Sequence, residues 1–397
     1  MKHLSILIIA AALVTGCAST KPPVAEAPAV QLFNDSAFQK KPDSVLTADQ
    51  IFALSPQMRD YVAQIRQTLH GRNTHEALFE ALYRRDQLRI EYDSEITRTA
   101  AQAFDARMGN CLSLVIMTAA LAKDLGLDVT FQRITGEDTW SRAGSLYLNN
   151  GHVNLVLGKP VMDTRPGQYD RAYYVTIDFL PPADAERLEK EAITQQTITA
   201  MFMNNRSAEA LVQGRLDEAY WWARGAMQAD PGFLYSYNTM AIVYQRHDML
   251  ADAERVLRFA LQRDPRNTIT MFNLVQVLNG EGLTAEALVV KAELDRLEPQ
   301  PPFYYFNLGR KAMDEGDYRK ARGLFARELE RAPYYHEFHF WMAKAAFELG
   351  DFKTADKHMR LAMSNSTTRG DHDLYAAKLD RLRLYDKGRL RPEAGTN

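Results

Sequence analysis

Apolar residues run almost unbroken over 4–14, then give way over 18–45 to a stretch rich in Pro, Ala and Lys with no helical period. From 47 to 107 apolar positions recur at helical spacing, in LTADQIFALSPQMRDYVAQIRQTL, NTHEALFEALYRRDQL and SEITRTAAQAFDAR. Thr47 and Gln50 form a capping box at the first start. The stretch 111–125, CLSLVIMTAALAKDL, is apolar almost all round, which predicts a helix buried at the centre of a domain. Gly126 stands where its C-terminal cap belongs. Two alternating stretches follow. Val153, Leu155 and Leu157 alternate with His152, Asn154 and Val156, and Tyr173, Val175, Ile177 and Phe179 alternate with Tyr174, Thr176 and Asp178. Each predicts a strand with one more polar face.

Beyond 200 the pattern is helical and repeats itself. Pro231, Pro265, Pro299 and Pro333 recur every 34 residues, the period of the tetratricopeptide repeat. The segment 306–333 resembles that consensus: Leu308 and Gly309 let paired helices approach, Gly316 opens the turn, Ala321 packs at the crossing and Phe325 fills the core. Sliding by the period recovers Gly214 and Ala219, Tyr244 and Ala253, Gly282 and Ala287, and Gly350 and Ala355. Four clear units over 200–335 and a fifth to 368 are expected, then a capping helix over 371–387 and a tail over 388–397. The first unit is degenerate in its opening helix, where Arg206 replaces a leucine. By resemblance the first helix of each unit lines a concave groove. That register places Tyr235, Asn238, Phe272, Gln276, Asn279, Phe303, Phe306, Arg310, Phe340 and Lys344 there, a set suited to an extended protein or peptide partner. The alternative, that some of these aromatics pack between units or against the N-terminal domain, stays open. The HEFH stretch, 336–339, lacks the spacing of HExxH, and neither metal nor cofactor is expected.

The amino-terminal pattern changes the reading of the two cysteines in the chain. Lys2 precedes an apolar run too short for a spanning helix, which needs about 20 residues, yet suited to an export signal. It closes with Val14-Thr15-Gly16-Cys17, which resembles the bacterial lipoprotein signal. That resemblance implies lipidation at Cys17 once 1–17 is processed. Ala18 and Ser19 follow where an Asp would retain the protein at the inner membrane, so the expected place is the outer membrane, facing the periplasm. Residues 18–45 read as a flexible tether. The formal net charge of −2 leaves no electrostatic footprint for nucleic acid.

Cys111 is then a thiol without a disulfide partner in an oxidising compartment. It occupies the first turn of the buried helix, where unpaired N–H groups and the positive end of the dipole favour a thiolate. A thiolate nucleophile needs a base. His152 is the one histidine between Cys111 and the repeats, and Asp178 lies on the polar side of the second strand. If the strands pair, His152 and Asp178 can face the same helix start.

The stretch TRTAAQAFDARMGNCLSLVIMTAALAKDLGLDV, with His152 and Asp178 following in order, resembles the core of the transglutaminase-like superfamily. That resemblance implies an α+β papain/transglutaminase-like N-terminal domain over 46–195, ahead of the all-α repeat solenoid. It implies Cys111, His152 and Asp178 as a catalytic triad, with Asp163 in VMDTRPG the alternative third residue. The expected activity is acyl transfer on protein or peptide amides, as a protease or amidase or by transglutaminase-like exchange. Two departures bear on substrate class: Val-Asn-Leu follows His152, and Phe-Leu follows Asp178. The competing expectation is a repeat scaffold of an envelope assembly whose N-terminal domain does no chemistry.

Overall fold

The computed structural model describes residues 29–69, 74–83, 88, 90–94, 96–135, 140–143, 146–149, 151–158, 174–179 and 189–386. Cys17, Asp163 and the tail over 388–397 lie outside them. The long helical pattern after Thr47 is split by chemistry the period does not register. Thr47 caps α1 (Ala48–Ile51) through the expected box. Ser55 then caps a second helix, α2 (Pro56–Thr68), with Pro56 in its first turn, where a missing N–H costs nothing. Helix α3 (Thr74–Tyr83) follows. The stretch 94–107 is helical only at its end, in α4 (Ala100–Ala106), capped by Thr99. On either side of α4, two-residue strands β1 (Glu91–Tyr92) and β2 (Met108–Gly109) pair in parallel.

Helix α5 (Cys111–Asp124) buries every residue from Leu112 to Ala122. It packs between helices α2 and α4 and a four-stranded antiparallel sheet built from β3 (Val129–Thr135), β6 (Val153–Leu157), β7 (Val175–Ile177) and β8 (Glu189–Ile193), in the order β7-β6-β3-β8. A separate hairpin joins β4 (Trp140–Ala143) to β5 (Leu146–Asn149). Strand β6 is central and buried along its whole length, so its polar alternation marks a site rather than a wet face. Gly109 sets the approach of β2 to α5: a Cβ there would stand 2.8 Å from the Ser113 Cβ.

Five helix pairs with tetratricopeptide-repeat geometry follow. They are α6 (Gln195–Val212) with α7 (Leu216–Ala229), α8 (Tyr235–Arg246) with α9 (Leu250–Arg263), and α10 (Thr268–Gly280) with α11 (Thr284–Leu297). Then come α12 (Tyr304–Asp314) with α13 (Tyr318–Arg331) and α14 (His336–Glu348) with α15 (Phe352–Ser364), closed by α16 (Arg369–Asp386). Ala219, Ala253, Ala287, Ala321 and Ala355 are all buried, as crossing positions require. The turn position held by Gly316 at φ 76° is held in the second unit by Asp248 at φ 60°, one of the few residue types that tolerates it. Helix α6 starts before 200 and serves two cores. Its Ile198, Ala200 and Phe202 pack with Leu112, Val115 and Leu155 of the N-terminal domain, which accounts for its poor match to the repeat pattern.

Two features depart from an even solenoid on a free tether. Described residues from 31 to 45 are docked, not free. Leu32 and Phe38 are buried in the core of the first units, and Phe38 stacks on Tyr220 with ring centroids 3.9 Å apart. The Asn34 N–H donates to the Tyr220 and Tyr244 hydroxyls, and the Trp221 indole donates to the Gln39 carbonyl. Apolar side chains set among polar residues anchor this stretch despite its lack of period. The second departure is a break at 298–303, Glu-Pro-Gln-Pro-Pro-Phe. The core running through α7–α11 ends at Ala287 and Val290, and a separate core starts at Phe303. Leu288 and Val289 on α11 are left 62 % and 72 % exposed.

Beyond the break the array returns to the N-terminal domain. The Ser94 N–H donates to the Thr367 carbonyl at 3.0 Å, Ser94 Oγ lies 2.9 Å from Thr367 Oγ1, and Arg369 pairs with Glu91 at 2.7 Å. The near end of the array holds the same segment. Glu209 on α6 accepts from the Thr97 N–H, and Asn205 donates to the Thr97 hydroxyl. Glu91, Ser94 and Thr97 are thus gripped by one end of the solenoid or the other.

Candidate active site

Cys111 is the first residue of α5, and Asn110 caps the helix by accepting from the Ser113 N–H at 2.9 Å. The Asn110 amide donates to the Thr97 hydroxyl at 3.0 Å, so the cap is itself held by the segment that the array grips. Cys111 is half-buried and makes no disulfide.

His152 stands just before β6, and its carbonyl accepts from the Ile134 N–H at 2.9 Å, which extends the β3–β6 pairing to its position. Strand β7 pairs with β6 through Leu155↔Ile177. One step further along that register, Asp178 comes opposite Asn154, two residues from His152. The side chains close accordingly: His152 Nε2 meets Asp178 Oδ1 at 2.7 Å, and Asn154 Nδ2 donates to Asp178 Oδ2 at 3.0 Å. His152 and Asp178 side chains are each only 14 % exposed. His152 also hydrogen-bonds Cys111. With Nε2 engaged by Asp178, the other ring nitrogen is the one left to the sulfur.

The electrostatics of His152 set two effects against each other. Burial works to strip its charge, but the hydrogen bonds to Asp178 and Cys111, with the negative charge on both, outweigh it and push the imidazole up to about 10. At neutral pH the ring is an imidazolium. Three stretches far apart in sequence therefore bring a thiol, an imidazole and a carboxylate to one helix N-terminus.

Two neighbours of this constellation fall outside the triad read from the sequence. Asn154 shares the polar alternation of His152 and could have been drawn from that signal. Tyr92 could not. Its phenol oxygen accepts from the Cys111 backbone N–H, a contact that depends on the pairing of two dipeptide strands.

The ten groove positions divide. Phe272, Gln276 and Asn279 on α10 and Lys344 on α14 are exposed. Arg310 lies half-buried with its guanidinium 3.8 Å from the Trp341 ring, and Lys344 Nζ is 4.6 Å from the same ring. Phe303 and Phe306 do not line a groove. Both are fully buried against Phe325 and Phe338 in the core of the fourth and fifth pairs, because the break at 298–303 makes them that core's end wall. Asn238 is buried too, bonded to Thr270 and Asn273. Tyr235 packs on the N-terminal core, and Phe340 on Tyr375 of α16. The HEFH histidines are engaged in packing: His336 meets the Tyr375 hydroxyl, and His339 meets His358 and the Pro333 carbonyl.

No family model and no curated protein matches this chain. Solved structures similar to it include tetratricopeptide-repeat proteins. The tetratricopeptide protein TTC0263 of Thermus thermophilus is 16 % identical over 47 % of this chain and 99 % of its own, with a TM-score of 0.30. PilF of Pseudomonas aeruginosa is 18 % identical over 49 % and 99 %, at 0.28. Yeast Tom70 is 15 % identical over 49 % and 42 %, at 0.34. Likenesses this slight carry no argument about function. The repeat architecture stands on the helix pairs themselves.

Proposed function

We propose that this chain is an exported, lipid-anchored cysteine acyl-transfer enzyme of transglutaminase-like type, a protease or amidase whose repeat array binds a protein or peptide partner. The observation that carries the reading is the linked set Cys111, His152 and Asp178 at the start of α5. Cys111 Sγ attacks an amide carbon, and the carbonyl oxygen takes up the negative charge beside the helix-start N–H groups. The C–N bond then breaks as the His152 imidazolium gives its proton to the leaving amine. Asp178, fixed in turn by Asn154, holds the ring in place throughout. Water, or an amine in an exchange reaction, releases the thioester. Lipidation at Cys17 would hold this site on the periplasmic side of the outer membrane.

The test is the reactivity of Cys111 in purified protein lacking 1–17. At pH 6, His152→Ala should slow alkylation by iodoacetamide about tenfold or more, since a thiol without an imidazolium beside it is almost wholly protonated there. Equal rates in the two proteins would sink the reading. Cys17→Ser should release the full chain from membranes; continued membrane association would remove the anchor from the proposal.

A second reading, a scaffold whose N-terminal domain does no chemistry, is favoured by the exposed Phe272, Gln276 and Asn279. It predicts that Cys111→Ala behaves as wild type in cells while Phe272→Ala fails. Phe306 would be a poor choice for that comparison, because its removal would unmake a core.

A further inference from the structure

The acyl-transfer reading needs hydrogen-bond donors where the carbonyl oxygen becomes charged, and one backbone N–H seldom suffices. Strand β1 supplies a candidate. Its register is fixed on both sides of Tyr92: the Glu91 N–H donates to the Arg107 carbonyl at 2.9 Å, and the Asp93 N–H to that of Gly109 at 3.0 Å. Tyr92 is therefore set opposite Gly109, two residues before the nucleophile. Gly109 packs against Ser113 with no room for a side chain, so β2 brings β1 close to the first turn of α5. There the Cys111 N–H donates to the half-buried Tyr92 phenol. Burial first, then the negative charge of Cys111 and Asp93, push the phenol far above its ordinary range. It keeps its proton at neutral pH, and a protonated phenol is a hydrogen-bond donor.

We propose that the Tyr92 O–H is the second donor of the oxyanion seat, paired with the Cys111 backbone N–H. The proposal rests on the acyl-transfer reading above. At rest the phenol oxygen accepts the Cys111 N–H. As Sγ bonds to the carbonyl carbon, the π electrons move onto the carbonyl oxygen, which takes over that N–H. The phenol then turns its own hydrogen onto the same oxygen. When the tetrahedral carbon collapses, the C–N bond breaks, the amine leaves with the His152 proton, and the phenol returns to the N–H. Tyr92 carries no charge through the cycle and transfers no proton. Its strand is pinned from outside by Ser94–Thr367 and Glu91–Arg369, which suits a group whose service is position.

Two probes separate this role from the others. p-Nitrophenyl acetate acylates a thiol through a charged tetrahedral oxygen, whereas iodoacetamide alkylates it by direct displacement with no such oxygen. In Tyr92→Phe, which removes only the hydroxyl, the p-nitrophenolate burst assigned to Cys111 (Cys111→Ala as background) should slow about a hundredfold, the usual loss for one oxyanion donor. Alkylation should be unchanged. Equal acylation in the two proteins would overturn the proposal. So would a rise, which would make the phenol an obstruction of the seat, or an equal fall with both probes, which would make it packing. A wild type inert to the ester, with alkylation still dependent on His152, would overturn it as well. Failure of the acyl-transfer reading has a different signature: His152→Ala would leave both probes unchanged in the presence of Tyr92.

Discussion

His152 is buried, which opposes its charge, yet Asp178 and Cys111 outweigh burial and hold it charged. Its imidazole should therefore show no titration between pH 5 and 8 by NMR, with a midpoint near 10. Asp178→Asn, which keeps the shape but removes the charge, should bring that midpoint down toward the ordinary histidine range; an unmoved midpoint would show that Asp178 does not hold the charge. The linkage has a definite sign. A folded value above the unfolded one means that the interaction stabilises fully below about 6.5 and is lost as pH rises through about 10. His152 and Asp178 were legible in the sequence because each sits on the polar side of an alternating stretch. Tyr92 was not, because β1 is two residues long and no period exists at that length. Its neighbour is set by a parallel pairing that spans the whole of α4.

The repeats were the most legible elements, since one spacing fixes helix, turn and crossing at once. Gly309 shows how tightly: a Cβ there would lie 2.6 Å from the Phe325 ring. Gly309→Ala should destabilise the chain by about 1–3 kcal/mol, the usual cost of overpacking, measured by urea unfolding; an unchanged midpoint would mean that Phe325 has room to yield. What the period could not reveal is where the array stops being even. Leucine and phenylalanine at consensus positions look alike whether they line a groove or close off a core, so Phe303 and Phe306 were placed with Phe272. The last pair carries a further property invisible to the pattern. His339 and His358 face each other with Nδ1 atoms 3.0 Å apart. Burial above all, then His339 and Lys357, lowers His358 to about 4, and burial lowers His339 as well. A base held below its unfolded value stabilises the fold above about pH 6.5 and loses that contribution as pH falls toward 4. Melting of this protein between about pH 7 and 5 should shift downward, and His358→Gln should flatten the slope. A slope left as steep in the variant would assign the acid sensitivity elsewhere.

The whole molecule is a solenoid that leaves its N-terminal domain at α6 and comes back to it at Thr367. The repeats could be read from pattern because they have a period of their own. The return could not follow, since Ser94 and Thr367 are 273 residues apart and neither belongs to a repeating position. The return contact is also slight. A net hydrogen bond contributes about 0.5–1.5 kcal/mol and an exposed ion pair about 0–1, so Ser94–Thr367 and Glu91–Arg369 together hold the far units by only a few kcal/mol. The break at 298–303, where one core ends and another starts, leaves those units attached by little else among the described residues. Ser94→Ala with Arg369→Ala leaves only the Ser94 N–H bond to the Thr367 carbonyl and should therefore loosen the array, seen as a larger radius of gyration in small-angle X-ray scattering and faster amide exchange over 91–94. Because β1 carries Tyr92, the same double variant should slow ester acylation of Cys111 while alkylation holds steady. Unchanged scattering would mean that the far units keep their place without these side-chain contacts. An opened array with undiminished acylation would mean that β2 alone positions the phenol, and that the grip of the solenoid on Glu91, Ser94 and Thr97 serves assembly rather than chemistry.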